Sequence, residues 1–204
     1  MPKITFFNLP ETKRKMIIEA AKEEFSRVLF EEASIANIIK KAEIPRGSFY
    51  QYFEDKKDLF VYLIGEMGKQ MFTCFIGYLE DTQGDLFMAA EYFFKYLLEL
   101  GNHPENRRFI RNIWLSMNEK LKDEVAPHSH KHRFYHYYEA MQQRVDYSSF
   151  HLQDKEKVFL FKLLKHTIFH NATPYLNGLA TKEQCMETFC FQIRIIKRGL
   201  KNNG

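Results

Sequence analysis

Apolar residues recur at three- and four-residue intervals along almost the whole chain. The residues that would interrupt such a pattern are scarce, with 9 glycines and 6 prolines among 204 residues. That spacing belongs to amphipathic helices, and no alternating run with a hairpin turn competes with it. The chain therefore reads as all-α. Ile17, Ala21, Phe25 and Val28 form one apolar stripe, and Ile35, Ile38, Ile39 and Ala42 form a second, shorter one with Ser34 as its expected N-cap. The sharpest break falls at "AEIP", where Ile44 precedes Pro45 and is pushed out of the helical region.

The first helix is expected to begin at "NLPE", with Asn8 as its N-cap, Pro10 in the first turn and Glu11 completing a capping box. A brief helix runs from Pro45 to about Tyr52. Asp55 then caps a long helix that ends near Gly84. Further helical segments are expected at about 84–101, 104–122, 127–145, 154–176 and 181–201. Thr181 and Gln184 are spaced as a capping box for the last of them.

Composition narrows the function. No apolar run long enough to span a membrane stands out, and the N-terminus lacks a signal-peptide pattern. Cys74, Cys185 and Cys190 have no paired spacing and suit a reducing cytoplasm. There is no phosphate loop, nucleophile elbow or zinc-protease motif, so neither enzyme activity nor a cofactor or metal is expected. A net charge of +4 permits a polyanionic partner. The 20 Phe and 11 Tyr exceed what a small core needs, and an aromatic-lined cavity would use the surplus.

The segment "IPRGSFYQYFEDKKDLF" carries the clearest functional signal. At helical pitch Phe49 and Phe53 share a face, while Gly47, Ser48, Tyr50 and Gln51 point away and Arg46 and Tyr52 flank. The outer set offers a cation, hydroxyls, an amide and a close backbone approach, a mixture suited to a groove edge and its phosphates. Lys56, at the start of the next helix, can reach a phosphate.

Three short helices with a tight turn before the third describe a helix-turn-helix. Ala20-Ala21, Phe25, Phe30, Ala33-Ser34, Ile38, Ala42, Ile44, Pro45-Arg46-Gly47-Ser48-Phe49-Tyr50, Tyr52-Phe53, Lys56 and Leu59 resemble the DNA-binding pattern of the TetR family of bacterial transcriptional regulators. Two positions depart from it. Glu43 stands where the family usually has Gly in the turn, and Pro45 replaces the usual Ser.

The resemblance implies a helix-turn-helix domain over 1–54 and a helical effector-binding and dimerisation bundle over 55–204. It implies a cytoplasmic homodimer that represses from a palindromic operator and is released by a small molecule, here expected to be bulky and mostly apolar. Carried over by position, DNA contacts would come from Ser34, Arg46, Gly47, Ser48, Tyr50, Gln51, Tyr52 and Lys56. The effector would lie among Phe72, Phe75, Phe93, Tyr96, Phe109, Ile113, Trp114, Met117, Phe134 and Tyr138. The dimer would form through Phe161, Lys165, Ile168 and Phe169 with Met186, Phe189, Ile193 and Ile196, the last four spaced as a packing seam.

Two other readings stand beside this one. His128, His132 and His136 repeat at four-residue intervals, as do His166 and His170, which leaves a metal- or haem-responsive regulator open. A helical ligand carrier with a degenerate helix-turn-helix would account for Glu43 and Pro45.

Overall fold

The protein is described here by a computed structural model that covers residues 2–116 and 137–201. The described residues are helical, with no strand among them. They form two compact units. The first holds residues 2–70 and 104–116, and the second holds 71–103 and 137–201.

In the first unit α1 (Ile4–Phe7), α2 (Glu11–Arg27), α3 (Ile35–Lys41) and α4 (Arg46–Tyr52) precede the start of α5 (Lys56–Asp81). The helix α7 (Pro104–Ser116) returns to pack along α2. The division expected after residue 54 follows chain order, whereas α7 joins the helix-turn-helix unit across the intervening sequence. The core here is Ile17, Phe25, Ile38, Phe49, Phe53, Leu59 and Phe60, with Phe109 and Ile113 from α7.

The second unit contains the rest of α5, α6 (Leu86–Leu100), a helical stretch at 137–142, α8 (Asp154–Leu176) and α9 (Lys182–Lys201). Phe94 of α6 stacks on Phe189 of α9 with centroids 4.1 Å apart. Asp85 caps α6 by accepting the Phe87 and Met88 N–H groups, and its other oxygen takes Lys197 of α9 at 3.0 Å. Burial pushes the Asp85 carboxyl up, and these donors outweigh it and hold it below its ordinary range. Gly101 lets α6 end under the Tyr175 ring, since a Cβ there would lie 2.7 Å from Cε1.

Two of the expected caps form. Asp55 accepts the Asp58 N–H at 2.7 Å, and Thr181 and Gln184 exchange bonds of 2.9 and 3.3 Å. The first helix is a correction. Asn8 does not open α2; it closes α1, its N–H donating to the Ile4 carbonyl, and α2 starts at Glu11 behind Pro10 without a side-chain cap. The reason is Phe6, whose burial makes "ITFF" a helical turn of its own.

By length and composition α5 could cross a membrane. Its Leu59, Phe60 and Leu63 are buried in the core of the first unit, and its Phe75 and Leu79 in that of the second.

Candidate nucleic-acid interface

The turn between α3 and α4 is built by backbone bonds. Ala42 ends α3, Glu43 has φ +50°, and the Ile44 N–H reaches back to the Ile39 carbonyl at 3.1 Å. This is the six-to-one bond of a Schellman stop, which requires a left-handed residue at position 43. The turn therefore forms with glutamate where glycine would be unstrained. Lys13 of α2 covers the exposed end of α3, its Nζ donating to the carbonyls of Ala42 and Glu43 at 3.4 and 3.1 Å. Pro45 then starts α4 at φ −61°, its carbonyl accepting the Ser48 N–H.

The two faces of α4 separate as the spacing implies. Phe49 and Phe53 have no exposed surface. Arg46, Gly47 and Gln51 are exposed, Tyr50 is 40% exposed, and Ser48 and Tyr52 are half-buried. A Cβ at Gly47 would meet nothing within 4 Å, so this glycine keeps the outer face low without serving internal packing. Phe53 packs on Phe6 at 4.8 Å, which the sequence did not suggest.

Ser34 occupies the N-cap position of α3, yet its hydroxyl makes no cap bond. Glu24 of α2, which is only 5% exposed, ties this end of α3 to α2 instead. Its Oε1 accepts the Ser34 N–H at 2.8 Å and the Asn37 amide at 3.1 Å, and Arg27 closes on both oxygens at 2.8 and 2.9 Å. Burial would raise this carboxyl; Arg27, the Ser34 N–H and Asn37 together hold it below the usual carboxylate range.

Lys56 is half-buried. Its Nζ donates to the carbonyls of Glu31 and Ala33 at 3.0 and 2.8 Å and sits 4.8 Å over the Phe30 ring. Burial pushes its ammonium below the ordinary lysine range, against the pull of Glu31 and Glu24. Lys56 thus closes the 31–33 loop beside Ser34.

Two further clamps come from α7. Asn112, buried, donates from Nδ2 to the carbonyls of Phe25 and Ser26 at 3.0 Å and of Val28 at 3.2 Å. Ser116 Oγ accepts the Phe30 N–H at 3.0 Å. Neither residue carries a sequence signal, because a buried amide on a helix looks like any surface asparagine until its partners are known.

The residues expected to line an effector pocket divide between the units. Phe109 and Ile113 are buried in the core of the first, and Trp114 of the same helix is 44% exposed. Phe72, Phe75, Phe93, Tyr96 and Tyr138 belong to the second. There Phe72 stacks on Tyr137 at 4.1 Å, Phe75 meets Phe93 edge-on, and Tyr138 meets Phe161 edge-on at 5.4 Å. Burial pushes the nearby Tyr147 phenol up to about 12. Met117 and Phe134 lie outside the described residues, as do His128, His132 and His136. His166 and His170 stack 5.9 Å apart on α8, and among the described residues no group of three metal-ligating side chains forms.

Of the expected dimer residues, Phe161, Ile168, Phe189 and Ile193 fill the core of the second unit, and Met186 and Ile196 pack against it. The α9 seam is thus an internal one. The outward faces instead present Phe159, Lys165 and half-buried Phe169 on α8, and Phe191 and Ile195 on α9.

An α3–turn–α4 arrangement with an inward aromatic pair and an outward polar face defines a helix-turn-helix protein. The family described as bacterial regulatory proteins, tetR family, matches residues 17–63, and that described as tetracyclin repressor-like, C-terminal domain, matches residues 85–200. The chain belongs to the TetR family of DNA-binding transcriptional regulators. An uncharacterized HTH-type transcriptional regulator of Bacillus subtilis, YdgC, is 28% identical over 126 residues. That match takes in 54% of this chain and 65% of YdgC, just under two thirds of its length. Two solved TetR-family structures share the fold. One from Pectobacterium atrosepticum has a TM-score of 0.61 at 18% identity, covering 97% of this chain and 96% of that one. One from Marinobacter aquaeolei has a TM-score of 0.56 at 19% identity, covering 90% and 95%.

Proposed function

We propose that the protein is a homodimeric repressor that grips a palindromic operator through α4 and releases it when a bulky, mostly apolar molecule binds the second unit. The observation that carries the DNA contact is the division of α4, with Phe49 and Phe53 sealed inward and Arg46, Gly47, Tyr50 and Gln51 facing out. Ser34, Ser48, Tyr52 and Lys56 are assigned to the same contact by position, although Lys56 Nζ is held by the Glu31 and Ala33 carbonyls in this structure. Cationic and acidic residues nearly balance over residues 1–60, so affinity rests on a few placed cations and falls with salt.

The effector reading is supported by the clustering of Phe75, Phe93, Tyr96 and Tyr138, with Phe72 stacked on Tyr137 in the same unit. The dimer reading is supported by large exposed side chains on α8 and α9, with Phe159 66%, Phe191 56% and Ile195 53% exposed. Two copies of α4 about 34 Å apart would read the halves of the operator. The helix α5 belongs to both units and is the lever of this scheme. An effector shifts the equilibrium only as far as its affinity differs between the two conformers. No enzymatic step is part of the scheme.

The test is fluorescence anisotropy on a duplex that the wild-type chain selects from a random pool. Arg46→Ala and Tyr50→Ala should each weaken binding by about tenfold or more, at unchanged fold and oligomeric state. Wild-type affinity in both variants would refute the assignment.

A further inference from the structure

The C-terminal end of α4 is bonded by a segment far away in sequence. A helix leaves its last four carbonyls without intrahelical partners. In α4 the Phe49 carbonyl accepts the Phe53 N–H at 2.9 Å. The other three are all taken by residues 3–5: the Tyr52 carbonyl by the Lys3 N–H at 2.8 Å, the Tyr50 carbonyl by Lys3 Nζ at 2.8 Å, and the Gln51 carbonyl by the Thr5 hydroxyl. Phe6 anchors the donors. It is fully buried, with its ring 4.8 Å from Phe53, 5.4 Å from Tyr62 and 6.4 Å from Tyr52. Arg14 ties the segment to α2 by donating to the Phe7 carbonyl at 2.7 Å.

From this geometry we infer that Lys3, Thr5 and Phe6 form a brace that sets the pose of α4, and that they are positioning residues for sequence-specific DNA binding. The inference rests on the DNA-binding reading above. A seven-residue helix is too short to hold itself together, so its ends must be supplied from outside. Here the donors bond the backbone of Tyr50, Gln51 and Tyr52, the same residues whose side chains are assigned to DNA. The Lys3 ammonium also places a cation at the negative end of the α4 dipole. The brace lies before residues 17–63, the span matched by the family's DNA-binding domain.

A positioning role separates from a direct phosphate contact and from a plain stability role. The probes are the duplex selected by the wild-type chain and a scrambled duplex of equal length. Thr5→Val and Lys3→Met should each weaken the selected duplex by about three- to tenfold while leaving scrambled-duplex affinity unchanged, since each removes neutral or internal bonds worth about a factor of ten or less. Thr5→Ser and Lys3→Arg should restore binding. Amide exchange at residues 50–53 in the DNA-free protein should speed up in the first two variants and not in the second two. Wild-type affinity and exchange in Thr5→Val and Lys3→Met overturn the brace. So does an equal loss on both duplexes. A drop of about one in the salt slope for Lys3→Met, with Thr5→Val silent, makes Lys3 a phosphate contact instead. If Arg46→Ala also binds like wild type, the DNA-binding reading itself has failed. If Arg46→Ala loses binding while the brace variants do not, only the brace has.

Discussion

Asn112 Nδ2 lies 3.0 Å from the carbonyl oxygen of Phe25, a residue 87 positions earlier in the chain. The same nitrogen also serves the carbonyls of Ser26 and Val28, so one buried amide satisfies the frayed end of α2. Replacing it with alanine strands those carbonyls out of reach of water. Asn112→Ala should cost about 2 kcal/mol, the penalty for buried acceptors left unpaired. Urea denaturation measures this directly, and a loss below about 0.5 kcal/mol would mean that the carbonyls find other partners.

Glu24 gives the fold an acid-sensitive joint. Its carboxyl is held below the usual range when folded, so its contribution is present above the unfolded carboxylate pKa. That contribution is lost as pH falls through the lower folded value. Glu24→Gln keeps some hydrogen bonding but no charge, and should cost about 1–2 kcal/mol at neutral pH. The variant's stability should also fall less steeply with acid than the wild type's. Parallel stability–pH curves for the two proteins would rule this out.

Glu43 holds a left-handed conformation that costs a residue with a Cβ about 1–2 kcal/mol. Glycine relieves that strain and adds freedom to the unfolded chain worth about 0.5–1 kcal/mol. Glu43→Gly should therefore stabilise by up to about 1 kcal/mol, visible as a higher denaturation midpoint. A lower midpoint would show that Glu43 makes a compensating interaction.

If α8 and α9 form the dimer, the charge that disrupts it must go on the outward faces. Phe191→Glu with Ile195→Glu should convert the protein to a monomer at micromolar concentration, as read by sedimentation. Burying two carboxylates against a twin surface costs several kcal/mol. An unchanged sedimentation coefficient in the double variant would place the interface elsewhere.

Much of the fold was legible because helices announce themselves locally. The Ile17–Phe25 stripe, the break before Pro45, the Asp55 cap and the Thr181–Gln184 box all depend on neighbours within one turn. The inward pair Phe49 and Phe53 followed from pitch alone. What escaped was set by partners far apart in sequence. Asn8 has the look of an N-cap, but Phe6 needed burial and took the preceding residues into a helix of its own. Ser34 has the right place for a cap, but its hydroxyl makes no cap bond, and a carboxylate from α2 takes its N–H. The α9 seam was legible as a packing face; which surface it packs on was not, because a periodic stripe is the same against one's own core or a twin's. Phe109 and Ile113 were grouped with the effector rings by composition, and chain order hid their return to α2.

The helix-turn-helix unit is consequently not a detachable module. A fragment ending at residue 54, or even at residue 70, would lack Asn112 and Ser116, and α2 would end on bare carbonyls beside an open hydrophobic groove. Swapping operator specificity between relatives by exchanging the first sixty residues would therefore carry over the reading helix but leave its foundation behind in the other parent. A functional graft has to take two separated stretches of sequence together.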